Sequence, residues 1–197
     1  MNHSIAFFDR QFSQGATPDA LALNPFEHLA LPHLQGEVLD FGCGMGNLAF
    51  AAAARGCRVM ALDASAAAIA HIQQRAAREA VPVLAAQADL RTYDISTDYD
   101  AVVSIGLLMF FDCATARRVL DALQRHVRPG GVAAVNVLVE GTTYMAMFEP
   151  QAHCLFPTDE LPHRFAGWEL LHHELSTFEA PGDTVKRFCT VVARKPR

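Results

Sequence analysis

Three aspartates and three glycines are the residues of this chain whose types and spacing could do chemistry. Gly42, Gly44 and Gly46 follow the apolar run Glu37-Val38-Leu39-Asp40-Phe41 in a G-x-G-x-G pattern. Glycines in such a turn adopt φ > 0 without strain and let a ligand lie against the backbone. A dinucleotide fingerprint would place a third glycine where Asn47 stands, and a phosphate-cradling P-loop would continue into a lysine that does not follow here. A second apolar run, Cys57 to Leu62, ends in Asp63, and a third, Val81 to Gln87, leads into Ala88-Asp89-Leu90. A carboxylate at the tip of a second strand, about 20 residues past the glycines, can accept hydrogen bonds from both hydroxyls of a ribose diol. Asp40, Asp63 and Asp89 therefore fall at the carboxyl ends of successive predicted strands, the edge at which open α/β sheets bind ligands.

The elements that must position these groups alternate regularly. The pattern predicts strands over 38–41, 58–62, 83–87, 100–105 and 132–139. Between them it predicts an alanine-rich helix over 48–55, a helix capped by Ser65 and a helix capped by Asp112. Ile69 and Ile72 face inward on the second of these helices and Arg75 and Arg78 outward. Val119, Leu120, Leu123 and Val127 face inward on the third. Repeated strand–helix–strand units give a parallel sheet with helices on both faces. Leu107 to Phe111 is an apolar connection at the ligand edge, read either as core packing or as a wall against the ligand, and Arg128-Pro129-Gly130-Gly131 reads as a turn. Residues 140–156 form an irregular aromatic loop where substrate pockets are usually built. Thr158 is a candidate cap for a short helix, and two strands over 168–178 and 187–193 close the chain. Upstream, Ser4–Gln14 reads as a helix with Ile5, Phe8 and Phe12 on one face, either a packing flap or a lid. Phe26–Leu34 reads as a second helix, bent at Pro32.

Leu39-Asp40-Phe41-Gly42-Cys43-Gly44-Met45-Gly46 resembles the first motif of class I S-adenosylmethionine-dependent methyltransferases, and Asp63 and Ala88-Asp89-Leu90 resemble their second and third. The resemblance covers Gly36 to Arg194. It implies a doubly wound, mostly parallel seven-stranded sheet ending in a C-terminal antiparallel hairpin, in one domain over 1–197. Residues 1–35 would be an N-terminal helical lid, 36–139 the cofactor-binding core and 140–197 the substrate-side loop and hairpin. It implies S-adenosyl-L-methionine as cofactor, held by Asp40, Gly42, Cys43, Gly44, Gly46, Asp63, Ala64, Ala88, Asp89, Leu90, Ser104 and Met109. Within this class the chain is most similar to the tellurite-resistance methyltransferases. Leu108-Met109-Phe110-Phe111, Asp159-Glu160-Leu161 before Gly167-Trp168-Glu169, and Arg187-Phe188 carry that similarity, and Phe8-Asp9-Arg10-Gln11-Phe12 also fits. Ser176 to Ala180 lacks the basic residues usual there. The implied reaction is in-line methyl transfer to a small-molecule acceptor, a chalcogen oxyanion or a thiol. Arg10, His153 and Arg187 are the catalytic candidates, His172 and His173 further bases, and Arg164 and Lys186 further cations. A binding module that keeps the cofactor without catalysis, and a nicotinamide dehydrogenase, are the alternatives. The missing N/D-P-P-Y/F and Pro-Cys pairs after strand four argue against amino-directed and cytosine-C5 nucleic-acid methylation.

Bulk properties agree with that class. The chain has 197 residues, 51% of them hydrophobic and 19% charged, enough for one domain with a full core. Its net charge of −5 and the lack of a Lys/Arg-rich segment argue against a nucleic-acid partner. No secretory signal or membrane-length apolar run is visible, so a cytoplasmic protein without a membrane partner is expected, monomeric or homodimeric. Cys43, Cys57, Cys113, Cys154 and Cys189 are widely spaced, without a C-x-x-C pair, which predicts reduced thiols and no metal site.

Overall fold

The computed structural model describes residues 22–149 and 152–197. The predicted helix over Ser4–Gln14, with Arg10, lies outside the described residues.

The first described helix, α1 (Pro25–Ala30), is short, and its start is fixed by a reciprocal cap. The Asn24 side chain accepts the N–H groups of Phe26 and Glu27, and Glu27 Oε2 accepts the Asn24 N–H at 2.7 Å. A 3-10 turn over Leu31–His33 follows, bending the chain at Pro32. Then come β1 (Glu37–Phe41), α2 (Asn47–Ala54), β2 (Arg58–Asp63), α3 (Ala66–Glu79), β3 (Val83–Gln87) and β4 (Tyr99–Ile105). Ser65 caps α3 by accepting the Ala68 N–H, and Ala80 ends it in the left-handed conformation. After a 3-10 turn over Leu108–Phe110, Asp112 caps α4 (Cys113–Arg125) through the Thr115 N–H. The chain closes with β5 (Val127–Leu138), α5 (Glu160–Arg164), β6 (Glu169–Ala180) and β7 (Thr184–Arg194).

The seven strands form one sheet in the order β3-β2-β1-β4-β5-β7-β6. Strands β1 to β5 pair in parallel, and β7 is antiparallel to both β5 and β6. The sheet is the doubly wound, mostly parallel seven-stranded one with a C-terminal antiparallel hairpin that the resemblance implies. Strand order reverses between β1 and β4, which opens a crevice at their carboxyl ends. Alternation along β1 feeds two cores. Leu39 and Phe41 pack with Val119, Leu120 and Leu123 of α4, whereas Val38 packs with Leu48 and Ala52 of α2 and Ile69 and Ile72 of α3. Among the described residues no helix is long and apolar enough to cross a membrane.

Three local expectations are corrected. Arg128 to Gly131 is not a turn between elements but part of β5: while β4 goes from Tyr99 to Ala101, β5 goes from Val127 to Val132, so the glycines absorb a register shift inside the ladder. Thr158 does not cap α5. Asp159 holds the cap position without a side-chain bond. The thiols are not all reduced either: Cys113 and Cys154 form a disulfide across a separation of 41 residues, while Cys43, Cys57 and Cys189 are buried and free. The loop after β5 folds back against the 3-10 turn after β4, where the Cys154 N–H donates to the Met109 carbonyl at 3.0 Å. Sequence spacing carries no sign of that meeting.

The bridge ties the start of α4 to the loop beyond β5. Chain entropy for a closed loop of this size corresponds to about 4 kcal/mol. Reduction, or Cys113→Ser, is expected to lower unfolding free energy by about 2–4 kcal/mol in a urea titration. Superimposable curves with and without reductant would show that the bridge contributes nothing.

Candidate functional site

The glycine turn is built by hydrogen bonds to β2. Gly42 N–H and Cys43 N–H both donate to the Leu62 carbonyl, at 2.8 and 3.0 Å. Asp63, the last residue of β2, then takes the Gly44 N–H on Oδ2 at 2.9 Å and the Ser65 N–H on Oδ1 at 2.8 Å. One carboxylate thus ties the turn after β1 to the cap of α3. Gly42 lies at φ +89, and a Cβ there would come within 2.9 Å of the Leu107 side chain. Gly46, at φ +77, is the N-cap of α2, and a Cβ there would press on Ile72 at 2.8 Å.

These elements surround a cavity of ≈ 280 Å³ at the carboxyl ends of β1, β2 and β4. Of the twelve residues expected at a cofactor, eight line it: Asp40, Gly42, Cys43, Gly44, Asp63, Ala64, Asp89 and Leu90. The other four are not on its wall. Gly46 faces α3 because its place is the helix cap. Ala88 packs against the core and donates its N–H to the Asp63 carbonyl. Ser104 is fully buried within β4. Met109 turns into a separate apolar cluster with Leu138, Met147 and Phe148. The apolar connection splits instead: Leu107, Phe110 and Phe111 line the cavity while Leu108 and Met109 are core. A 3-10 turn sends successive side chains in different directions, and an unbroken apolar run gives no hint of the phase.

Sequence reading missed Glu27 altogether. It reaches the cavity from the first turn of α1, together with Asn24. The Asn24-x-x-Glu27 capping pattern was available as a helix signal. Nothing in it tells that the helix packs over the crevice, where Phe26 meets the rings of Phe178 and Phe188 at 5.7 and 4.8 Å.

The electrostatics of the wall are lopsided. Burial pushes Asp40 up to about 8, and the negative charges of Glu27 and Asp63 add to the shift. Burial also raises Glu27, against the hydrogen bond from Asn24. Burial first, then Asp40 and Asp63, keeps the Cys43 thiol well above its ordinary value, so it is a poor nucleophile. Asp89 is held low by Arg91, which donates from Nε at 2.9 Å and from Nη2 at 2.7 Å. Asp40 Oδ2 is buried without a hydrogen-bond partner among the described residues. Such an orphan, on a residue that lines a glycine-walled cavity, suits a ligand that brings polar or positive groups.

The other candidates among the described residues do not line the cavity. His153 stacks on Phe148 at 5.1 Å, and Phe148 in turn meets Phe110 at 5.2 Å, so a ring separates the imidazole from the lining residue. Arg187 donates to the Glu140 carbonyl at 3.1 Å, and its backbone N–H bonds Thr142. Arg164 is bound to Asp121 and Glu160, Lys186 lies over the Tyr144 ring, and His172 pairs with Glu174 on the outer strand β6. His173 lies on β6 as well.

Residues 38–131 match the family described as "Methyltransferase domain". The chain is 30% identical over 166 residues to "Hemagglutinin 1" of Eikenella corrodens, covering 81% of this chain and 55% of that protein. It is 27% identical over 171 residues to a "Probable S-adenosyl-L-methionine-dependent methyltransferase TehB" of Haemophilus influenzae (strain 10810), covering 81% and 57%. The chain thus spans just over half the length of these relatives. Among solved structures, TehB from Haemophilus influenzae superposes with a TM-score of 0.77 at 21% identity, covering 98% of this chain and 67% of that one. The N-methyltransferase NodS from Bradyrhizobium japonicum, solved with S-adenosyl-L-homocysteine, gives 0.74 at 17% identity over all of both chains.

Asp63→Ala removes the acceptor of two backbone N–H groups and leaves them without their protein partner. It is expected to destabilise the fold by about 1–3 kcal/mol in a denaturant titration. An unchanged midpoint would mean that the turn holds without the carboxylate.

Proposed function

We propose that this chain is an S-adenosylmethionine-dependent methyltransferase close to TehB, a reading that the methyltransferase-domain match over residues 38–131 and the shared fold support, and that it methylates a small-molecule acceptor of the chalcogen or thiol type. The observation that carries this reading is the cavity in which the glycine turn, Asp63 and Asp40, whose Oδ2 has no partner among the described residues, converge. When bound, S-adenosylmethionine supplies a sulfonium methyl already activated for in-line displacement. Asp63, which accepts the Gly44 and Ser65 N–H groups, would hold the ribose hydroxyls. Asp89 and Leu90 line the base end. Gly42, Cys43 and Gly44 let the cofactor approach the backbone, and Leu107, Phe110 and Phe111 exclude water from the reacting atoms. Positioning and desolvation then supply the rate enhancement that this chain contributes.

Within the acceptor class, the wall supports a thiol over an oxyanion: a thiol can enter uncharged and give its proton to solvent as it ionises to the attacking thiolate, whereas an oxyanion is charged from the start. The charged residues lining it, among the described residues, are Glu27, Asp40, Asp63, Asp89 and Arg91, and the arginine is tied to Asp89. An oxyanion would meet like charge there. Neither His nor Lys lines the cavity among the described residues, which suits a soft nucleophile that needs no strong base.

The test is turnover on a panel of small thiols, selenite and tellurite, following S-adenosylhomocysteine release. Methylation of thiols in preference to both oxyanions is expected. Cofactor binding without turnover on any acceptor would favour a non-catalytic binding module instead. His153→Ala is expected to keep turnover within about threefold, whereas loss of a general base commonly costs about 10²–10⁴. A drop of that size would return His153 to the chemistry.

A further inference from the structure

Asp40 is not absorbed by the roles above. Its Oδ2 is buried, unpartnered among the described residues, and belongs to a residue on the cavity wall. A buried charge is stable only when paired, so this carboxyl is either protonated or awaits a positive ligand. The groups facing it among the described residues supply no cation. From α1 comes Glu27, with His28 a minor charge near Glu27 alone, from β2 comes Asp63, and from the glycine turn the Cys43 thiol. The strand partners of Asp40 are Ala61 on β2 and Val103 on β4, neither titratable. From the loop after β3 come Asp89 and Arg91, which satisfy each other. Burial, and then the negative charges of Glu27 and Asp63, favour the protonated form of Asp40.

The methyl donor and its demethylated product differ by one positive charge, at sulfur. We propose that Asp40, with Glu27 beside it, is the residue by which this cavity tells donor from product: an ionised Asp40 answers the donor's extra positive charge, and a protonated Asp40 suffices for the neutral-sulfur product. The proposal rests on the S-adenosylmethionine reading above. A positive charge held in the same cavity favours the ionised form, so donor binding expels the Asp40 proton to solvent. Loss of the sulfonium charge lets the proton return and loosens the product. Donor affinity then falls as pH drops through the range where free Asp40 is protonated, and it levels off above that range. Product affinity stays nearly flat.

Calorimetric titration of S-adenosylmethionine and S-adenosylhomocysteine into the full chain, in two buffers of different ionisation enthalpy, reads both quantities. Donor binding is expected to release close to one proton at neutral pH and to weaken up to about tenfold per pH unit below about 8, with product binding changing less than about twofold. The α-amino group of a free amino acid titrates at roughly 7.7–8.0, so the ligand itself contributes. Asp40→Asn isolates the protein's share: product should still bind, and the proton release beyond the ligand's own should vanish. Glu27→Gln removes a like charge next to Asp40 and should move the donor's pH midpoint toward acid, a second readout should Asp40→Asn fold poorly. Equal proton release for both ligands, or a Glu27→Gln midpoint that does not move, overturns the proposal. Failure of both ligands to bind overturns the cofactor reading instead.

Discussion

The Asp63 carboxylate, accepting one N–H from Gly44 and another from Ser65, is the contact on which the ligand edge depends. It joins three pieces with no reason of their own to meet: the turn after β1, the tip of β2 and the first turn of α3. The parallel register delivers it there. Phe41 lies beside Leu62, whose carbonyl takes the N–H groups of Gly42 and Cys43, so the next residue of β2 arrives beneath Gly44. A turn held by its backbone N–H groups needs positive φ at its glycines, and Gly42, Gly44 and Gly46 all have it.

The same edge gathers negative charge, and the rest of the molecule deals with it unevenly. Asp89 is neutralised by its neighbour Arg91, and Asp63 is bonded to backbone N–H groups. Among the described residues no cation answers Asp40 and Glu27, and burial raises both. At the opposite end of the sheet the acids are answered: Arg128 bonds Glu37 and Asp100, and Asp100 accepts the Glu37 N–H. That contrast separates the end that stabilises the sheet from the end left to be completed by ligand.

The wall around Phe110 is assembled from distant pieces. The disulfide pins the loop beyond β5 to the start of α4, and Phe110 links the cavity wall to Phe148 and thence to His153. On the far side Phe26 packs on two rings of the β6–β7 hairpin and so seats α1 over the crevice. An aromatic shell around an acidic floor excludes water from the floor, which strengthens every charge effect within it.

Sequence alone determined the alternation of strands and helices, the caps at Ser65 and Asp112, the glycine turn and the acids at the strand tips. These are local: each is set by residues within a few positions of one another, through periodicity, capping or backbone conformation. The family motif carried the hairpin and the sheet. The rest is non-local. Whether Leu107, Phe110 and Phe111 rather than Met109 face the cavity depends on the phase of a 3-10 turn between two packed elements. Glu27 joins the site only because α1 is seated by Phe178 and Phe188, some 150 residues later in the chain. Cys113 meets Cys154 only because the loop after β5 doubles back on the turn after β4. Burial of Asp40 beside two other acids, and hence its reluctance to ionise, likewise exists only once these surfaces close: charge and solvation are properties of the packed interior, and residue order does not encode them locally.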